Sequence, residues 1–255
     1  MIRYYFNYQF RAITRHGVHS PFVYDLIETV FRDRREFDCY EELSEIRKRL
    51  KADKTLIGIT DLGAGSKRPA SKKTVSEILL MSVQRKSYQR LLFRLVNRYQ
   101  PKLVIELGTS LGLTTSYILA GMPKDGQLYT FEGDPQILDY AMKNVIPADK
   151  RVHAVQGNFD DTLPEFLQSG KKIDLAYIDG NHTYEATLRY FEWLQPHLSE
   201  TGCIVFDDIY WSKDMMKAWE KIIEHPASQT SVDIFKLGMV FTAPAKVKQH
   251  FMVKF

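Results

Sequence analysis

Residues 104–112 read VIELGTSLG, an apolar run that ends in an acid and breaks at a turn bracketed by Gly108 and Gly112. The stretch Thr114–Leu119 that follows is apolar enough to be a buried helix. A strand passing through glycines into a helix aims backbone N–H groups at whatever sits above the helix start, and glycine lets a ligand approach the backbone closely. The companion of Glu106 is Glu132, 26 residues further on at the end of the next apolar run. There an acid can accept both hydroxyl hydrogens of a ribose, so the two positions together suit a nucleoside.

Downstream, short apolar runs alternate with amphipathic stretches, the pattern of βαβ units around a parallel sheet. The strand candidates are KLVIE (102–106), QLYTF (127–131), RVHAV (151–155), IDLAYI (173–178) and CIVF (203–206). SVDIF (231–235), GMVFT (238–242) and QHFMVKF (249–255) are too closely spaced for intervening helices and predict an antiparallel hairpin at the sheet edge. The expected class is therefore α/β: a Rossmann-like, doubly wound, mostly parallel sheet with an antiparallel edge hairpin, preceded by a mainly helical N-terminal extension.

Upstream, Phe6, Phe10 and Ile13 fall at helical spacing, and Ser20 before Pro21 predicts a capped helix running to about Phe31. Tyr40, Leu43, Ile46 and Leu50 mark another helix, and GITDLGAG (58–65) interrupts it with a loop or short hairpin. Two more helices follow at Val75–Leu79 and Leu91–Val96. Residues 1–85 are read as this extension, a lid or a surface for substrate or a second subunit, and residues 86–255 as the ligand-binding domain. The charge divides similarly: residues 1–100 carry a net +9 and residues 101–255 a net −5 within an overall +4. A basic segment attracts anions without choosing one.

Composition excludes several classes. No apolar run approaches a membrane span. The aromatic, polar start MIRYYFNYQF has no h-region, so a cytoplasmic protein is expected. Cys39 and Cys203 stand alone, with neither zinc spacing nor disulfide density.

ELGTSLG resembles the glycine-rich first motif of the class I S-adenosylmethionine-dependent methyltransferases, FEGDP (131–135) their acidic second motif, and QGNF (156–159) their adenine loop. The resemblance spans roughly residues 86–242. It implies S-adenosylmethionine as cofactor, with Glu106, Gly108, Thr109, Ser110 and Gly112 near its methionine part, Glu132 and Gly133 at the ribose, Asn158 and Phe159 at the adenine, and Asp179 beside the methyl end.

The chemistry falls at the next two strand ends, YIDGNHTYEA (177–186) and VFDDIYW (205–211). In an open α/β sheet the reactive crevice lies outside the carboxyl ends of the strands, so Asp179, Asp207 and Asp208 are expected together there. Three carboxylates repel unless protonated or neutralised, and a hard divalent cation such as Mg²⁺ or Mn²⁺ suits their oxygens. The DGxHxY segment with a DD pair is similar to the metal-dependent sugar O-methyltransferases of the macrocin type and, more distantly, to catechol O-methyltransferase. This implies Asp179, Asp207 and Asp208 as metal ligands. Catechol-type enzymes have Asn where this chain has Asp208, and lysine where it has His182. His182, three residues after Asp179, is then the candidate base, since neutral imidazole takes a proton near pH 7. The expected activity is methyl transfer to a hydroxyl of a small molecule or sugar.

Each residue has a plainer reading. The three acids can cap loops and helix starts, and His182 can be a loop hydrogen-bonding residue. A dehydrogenase fingerprint fails, because its third and sixth positions are Ser110 and Leu113. GTSLG also fits a hydrolase elbow with Ser110 as nucleophile and Asp207 and His225 in order, but no strands or oxyanion loop precede it. A metal-independent methyltransferase docking nucleic acid or protein through the +9 segment is the competing enzyme; no aromatic-interleaved RNA motif supports a nucleic-acid partner.

Overall fold

The computed structural model describes residues 2–59, 71–242 and 247–255. In chain order the first half holds α1 (Ile2–Arg11), α2 (Pro21–Leu26), α3 (Cys39–Ala52), β1 (Leu56–Ile59), β2 (Ser71–Thr74), α4 (Val75–Ser82) and α5 (Lys86–Tyr99). Alternation begins with β3 (Leu103–Leu107), α6 (Leu113–Gly121), β4 (Gln127–Glu132), α7 (Pro135–Asn144), β5 (Val152–Gln156) and α8 (Phe159–Leu167). It continues with β6 (Ile173–Ile178), α9 (Tyr184–Leu194), β7 (Leu198–Asp207), α10 (Lys213–Glu224), β8 (Thr230–Asp233), β9 (Leu237–Phe241) and β10 (Gln249–Met252). The class is the expected one: Rossmann-like α/β, with mostly parallel strands, helices between them, and an antiparallel hairpin. The chain forms two compact units, one of Asp33–Phe166 and one of Met1–Arg32 with Leu167–Phe255.

In the first unit β3, β4 and β5 lie side by side and parallel, with Leu103 opposite Gln127 and Leu128 opposite Val152. All five residues of β3 are buried, as the unbroken run LVIEL requires of a strand covered on both faces. Helices α3 and α4 and strand β1 contribute Tyr40, Leu43, Leu50, Ile57, Val75, Ile78 and Leu79 to an apolar cluster that includes Leu111 and Leu113 of the glycine turn. β1 and β2 pair antiparallel, where a loop or short hairpin was expected; DLGAGS (61–66) lies outside the described residues. Thr74 and Glu77 form a reciprocal capping box at the start of α4.

In the second unit the strand order is β10-β8-β9-β7-β6. β6 and β7 are parallel, β9 runs antiparallel to both β7 and β8, and β10 is parallel to β8. α1 is tied to this unit where Ile13 bridges Val253, and the Tyr8 hydroxyl donates to the Val253 carbonyl. Pro21 opens α2 as expected, but Ser20 makes no side-chain cap bond. Asp134 stands before a proline at the same position of α7 and does cap its helix, so Pro21 itself does not prevent a cap at Ser20. The helix then relaxes into a π-helical turn over Ile27–Phe31.

Helices α5 and α6 meet at Gly121, where a Cβ would lie 2.7 Å from the carbonyl oxygen of Phe93 and 3.2 Å from the amide of Asn97. Both neighbours are backbone, so neither can rotate away. Gly121→Ala is therefore expected to lower stability by about 1–3 kcal/mol through overpacking, measured as a lower urea midpoint at unchanged slope.

Candidate active site

The glycine turn is built on a buried carboxylate. Glu106 is fully buried near the end of β3, and its Oε2 accepts hydrogen bonds from Thr115 of α6 at 2.5 Å and Thr130 of β4 at 2.7 Å. Glu106 thus supports the loop from beneath. Above it, the Gly108 and Thr109 amides both donate to the Phe131 carbonyl, at 2.9 and 3.1 Å. The turn needs three positive φ angles, at Gly108 (105°), Ser110 (47°) and Gly112 (76°). Gly112 also carries a packing constraint, because a Cβ there would lie 2.6 Å from Ile146 Cγ1.

Glu132, at the end of β4, is held from two sides: Oε2 accepts from the Ser110 amide at 2.9 Å and Oε1 from the Asp134 amide at 3.0 Å. Burial raises its pKa, and those backbone N–H donors partly offset the rise. The acid is half-buried, so it is fixed yet keeps an open side. Asp134 caps α7 through the Gln136 and Ile137 amides. The Gly157 amide donates to the Glu132 carbonyl at 3.0 Å, which brings Asn158 and Phe159 to the start of α8 beside the same strand end. Glu106, Gly108, Thr109, Ser110, Gly112, Glu132, Gly133, Asn158 and Phe159 are all carried at the carboxyl ends of β3, β4 and β5. The Ser110 hydroxyl pairs with that of Ser82 at 3.0 Å rather than with an imidazole, unlike a hydrolase nucleophile. His225, the histidine that reading required, accepts the Ala227 amide on Nδ1 at 3.2 Å.

The second unit gathers the acids. Tyr177, near the end of β6, lies 3.1 Å from both Asp179 Oδ2 and Asp207 Oδ2 through its hydroxyl. One hydroxyl proton serves one acceptor at a time, so Tyr177 donates to either carboxyl but not to both at once. His182 Nε2 stands 3.5 Å from Asp179 Oδ1. Burial disfavours the imidazolium, but the hydrogen bond and charge of Asp179, with the charge of Asp208, outweigh it and raise the His182 pKa above its ordinary value.

Asp208 departs from the group. Its φ is 54°, its amide donates to Asp207 Oδ1 at 2.7 Å, and its carboxylate forms an ion pair with Lys236. Among the described residues no three His, Cys, Asp or Glu side chains converge as a metal site requires.

Tyr177 and Lys236 carry no motif. Tyr177 sits two residues before Asp179 on the same face of a strand, the one signal that could have found it. Lys236 arrives only through the register of β9 on β7, in which Leu237 lies opposite Asp207. Trp211 is 59% exposed just beyond the acids, whereas the Tyr210 ring stacks on Phe235 at 5.1 Å. Tyr210 also donates to buried Asp233 at 2.6 Å.

Residues 105–209 match the family model described as a methyltransferase domain. The chain is 32% identical over 112 residues to a catechol O-methyltransferase of Niastella koreensis, covering 43% of this chain and 49% of the relative. It is 28% identical over 159 residues to a catechol O-methyltransferase of Mycobacterium tuberculosis, covering 62% and 69% respectively. The chain thus spans about half the length of the first of these curated relatives. Among solved structures it superposes on the O-methyltransferase TomG from Streptomyces achromogenes in complex with SAM, with a TM-score of 0.57, 14% identity and coverage of 82% and 92%. The O-methyltransferase from Bacillus cereus in complex with SAH gives a TM-score of 0.55 at 16% identity, with coverage of 84% and 94%. At these identities the structural matches speak for the fold.

Burial pushes the Asp233 carboxyl up to about 6, against hydrogen bonds from Tyr210 and the Phe235 amide. The folded chain therefore keeps a proton that the unfolded chain loses near pH 4, and stability falls as pH rises from about 4 through about 6. Asp233→Asn removes this titration and retains an acceptor for the Phe235 amide. Urea unfolding should show the variant gaining on the wild type by about 3 kcal/mol between pH 4 and pH 7, whereas a gap independent of pH would refute the assignment.

Proposed function

We propose that this protein is a class I S-adenosylmethionine-dependent methyltransferase, in line with the methyltransferase-domain model that residues 105–209 match, and that it transfers a methyl group to a hydroxyl oxygen of a small molecule. The single observation that carries this reading is the fixing of Glu132 beside the glycine turn, with both carboxyl oxygens aligned by backbone amides of the loops that border it. The positive-φ turn and the Asn158–Phe159 segment border the same strand ends as Glu132.

S-Adenosylmethionine, when bound, supplies an electrophilic methyl on a sulfonium. The chain's own residues do the rest. We assign Gly108, Thr109, Ser110 and Gly112 to the amino-acid end, Glu132 and Gly133 to the ribose hydroxyls, and Asn158 and Phe159 to the adenine; the resemblance implies Asp179 for the methyl end. His182 turns Nε2 toward Asp179, which leaves Nδ1 to take the proton of the acceptor hydroxyl. S-Adenosylmethionine held there would supply the methyl group and leave as S-adenosylhomocysteine, and His182 would accept the proton of the hydroxyl that becomes the methyl ether. Alignment of the acceptor oxygen behind the methyl contributes most of the acceleration in such a displacement.

A Mg²⁺ or other divalent cation on Asp179, Asp207 and Asp208, which the resemblance implies, does not fit the arrangement found, because Asp208 is committed to Lys236. Of the segment before residue 86, α3 and α4 pack with Leu111 and Leu113 in one unit, and α1 meets Phe235, beside Lys236, in the other. Among the described residues no helix is long and apolar enough to cross a membrane.

Calorimetric titration of S-adenosylhomocysteine into the purified protein tests the cofactor half. Binding at micromolar concentration is expected, weakened at least about tenfold in Glu132→Ala, the loss of roughly one charge-assisted pair. No binding to the wild type would end the methyltransferase reading. With labelled S-adenosylmethionine and a panel of catechols and hydroxylated sugars, His182→Gln should lower turnover by about 10²-fold or more; unchanged turnover would remove His182 from the chemistry.

A further inference from the structure

We propose that Lys236 is the resident cation of the acid cluster, holding beside Asp208 the position that a divalent ion would otherwise take. The strand register places it there. Asp207 ends β7 opposite Leu237, so the residue before β9 stands opposite the residue after β7, and the Lys236 ammonium meets Asp208 Oδ1. Both side chains are largely withdrawn from solvent, at 24% and 18% exposed. An ammonium on a flexible stem is ordinarily hydrated, and an exposed hairpin lysine has no cause to turn inward.

Backbone strain on both sides of the pair supports a purpose. Asp208 and Phe235, the residue before Lys236, adopt φ of 54° and 70°, a region unfavourable for residues with a side chain and rarer still for a bulky ring. Such conformations persist where their surroundings over-determine them, and they cluster at functional sites. The surroundings of Phe235 do so. Its amide donates to buried Asp233 at 2.7 Å, and its ring stacks on Tyr210 at 5.1 Å and meets Tyr5 at 5.0 Å and Tyr8 at 5.4 Å. The Lys236 amide donates to the Ile234 carbonyl at 2.9 Å, and the Ile234 amide to the Leu237 carbonyl at 3.0 Å, closing the turn. A buried acid, three aromatic neighbours and two turn bonds thus fix the segment that delivers a single ammonium.

The consequence for the reaction rests on the methyl-transfer reading; the competition with a metal ion does not. With Asp208 neutralised, Asp179 remains to orient His182, and Lys236 acts as a positioning residue through Asp208. With the ammonium in place, Asp208 is paired and not open to a divalent ion.

The test is titration of Mn²⁺ into the full chain, following the electron paramagnetic resonance signal of the free ion, for the wild type, Lys236→Met, Lys236→Arg and the double variant Asp208→Asn with Lys236→Met. The wild type and Lys236→Arg should leave sub-millimolar Mn²⁺ largely free. Lys236→Met should bind it at least about tenfold more tightly, and the added Asp208→Asn should abolish that gain. Tight Mn²⁺ binding by the wild type, or no gain in Lys236→Met, would overturn the proposal. If Lys236→Met does not fold, the wild type and Lys236→Arg still decide: weak binding by both supports it, and tight binding by the wild type refutes it. S-Adenosylhomocysteine titration of the wild type separates the two ideas, since its failure removes the methyltransferase reading while the Mn²⁺ result stands.

Discussion

A buried carboxylate holds the glycine turn in shape. Glu106 has no access to water, and a charge in that position is tolerable only if hydrogen bonds replace hydration. Thr115 and Thr130 supply them from the first helix after the turn and from the neighbouring strand. One side chain therefore registers β3 against both elements, and the Phe131 carbonyl, taking two turn amides, fixes the height of the loop above them. The positive φ angles at Gly108, Ser110 and Gly112 follow from that geometry, because the chain must reverse within a few residues over a floor that cannot yield.

The other half of the chemistry depends on a reversal of strand direction. In a wholly parallel sheet every strand begins at the face opposite the one where ligands bind, so only the loops after strands can contribute side chains there. β9 runs the other way. Its starting end lies at the carboxyl end of β7, and residues before it become available to the acids. The hairpin thus alters which residues reach the site, besides protecting an edge.

Much of this was legible in the sequence where the signal is contiguous. VIELGTSLG showed the strand, the turn and the helix because burial on both faces demands an unbroken apolar run and the turn demands glycine. Asp179, Asp207 and Asp208 were legible as acids at strand ends, and the closely spaced final runs as a hairpin. Residue types and spacing could not show that Asp208 separates from the other two. That outcome depends on register, a property of two strands paired across thirty residues of chain, and on the local φ of Asp208. Tyr177 was hidden for a different cause: a tyrosine in an apolar strand reads as core, and only the position of its hydroxyl between two carboxyls gives it a role. Ser20 was over-read: it precedes Pro21 as Asp134 precedes Pro135, yet only Asp134 makes the cap bonds.

The aromatic opening of the chain gains a meaning that composition alone did not supply. Tyr5 and Tyr8 are three apart on α1, on the face that meets Phe235. Glycine would adopt the turn conformation at position 235 without strain, but it would offer these rings nothing to hold, and the turn would be free to carry Lys236 out to water. An aromatic residue accepts the backbone cost and recovers it in ring contacts of about 0.5–1.5 kcal/mol each. The N-terminal helix therefore belongs to the chemistry at one remove. It stabilises a strained turn, the turn fixes an ammonium, and the ammonium pairs with Asp208 while Asp179 meets the histidine.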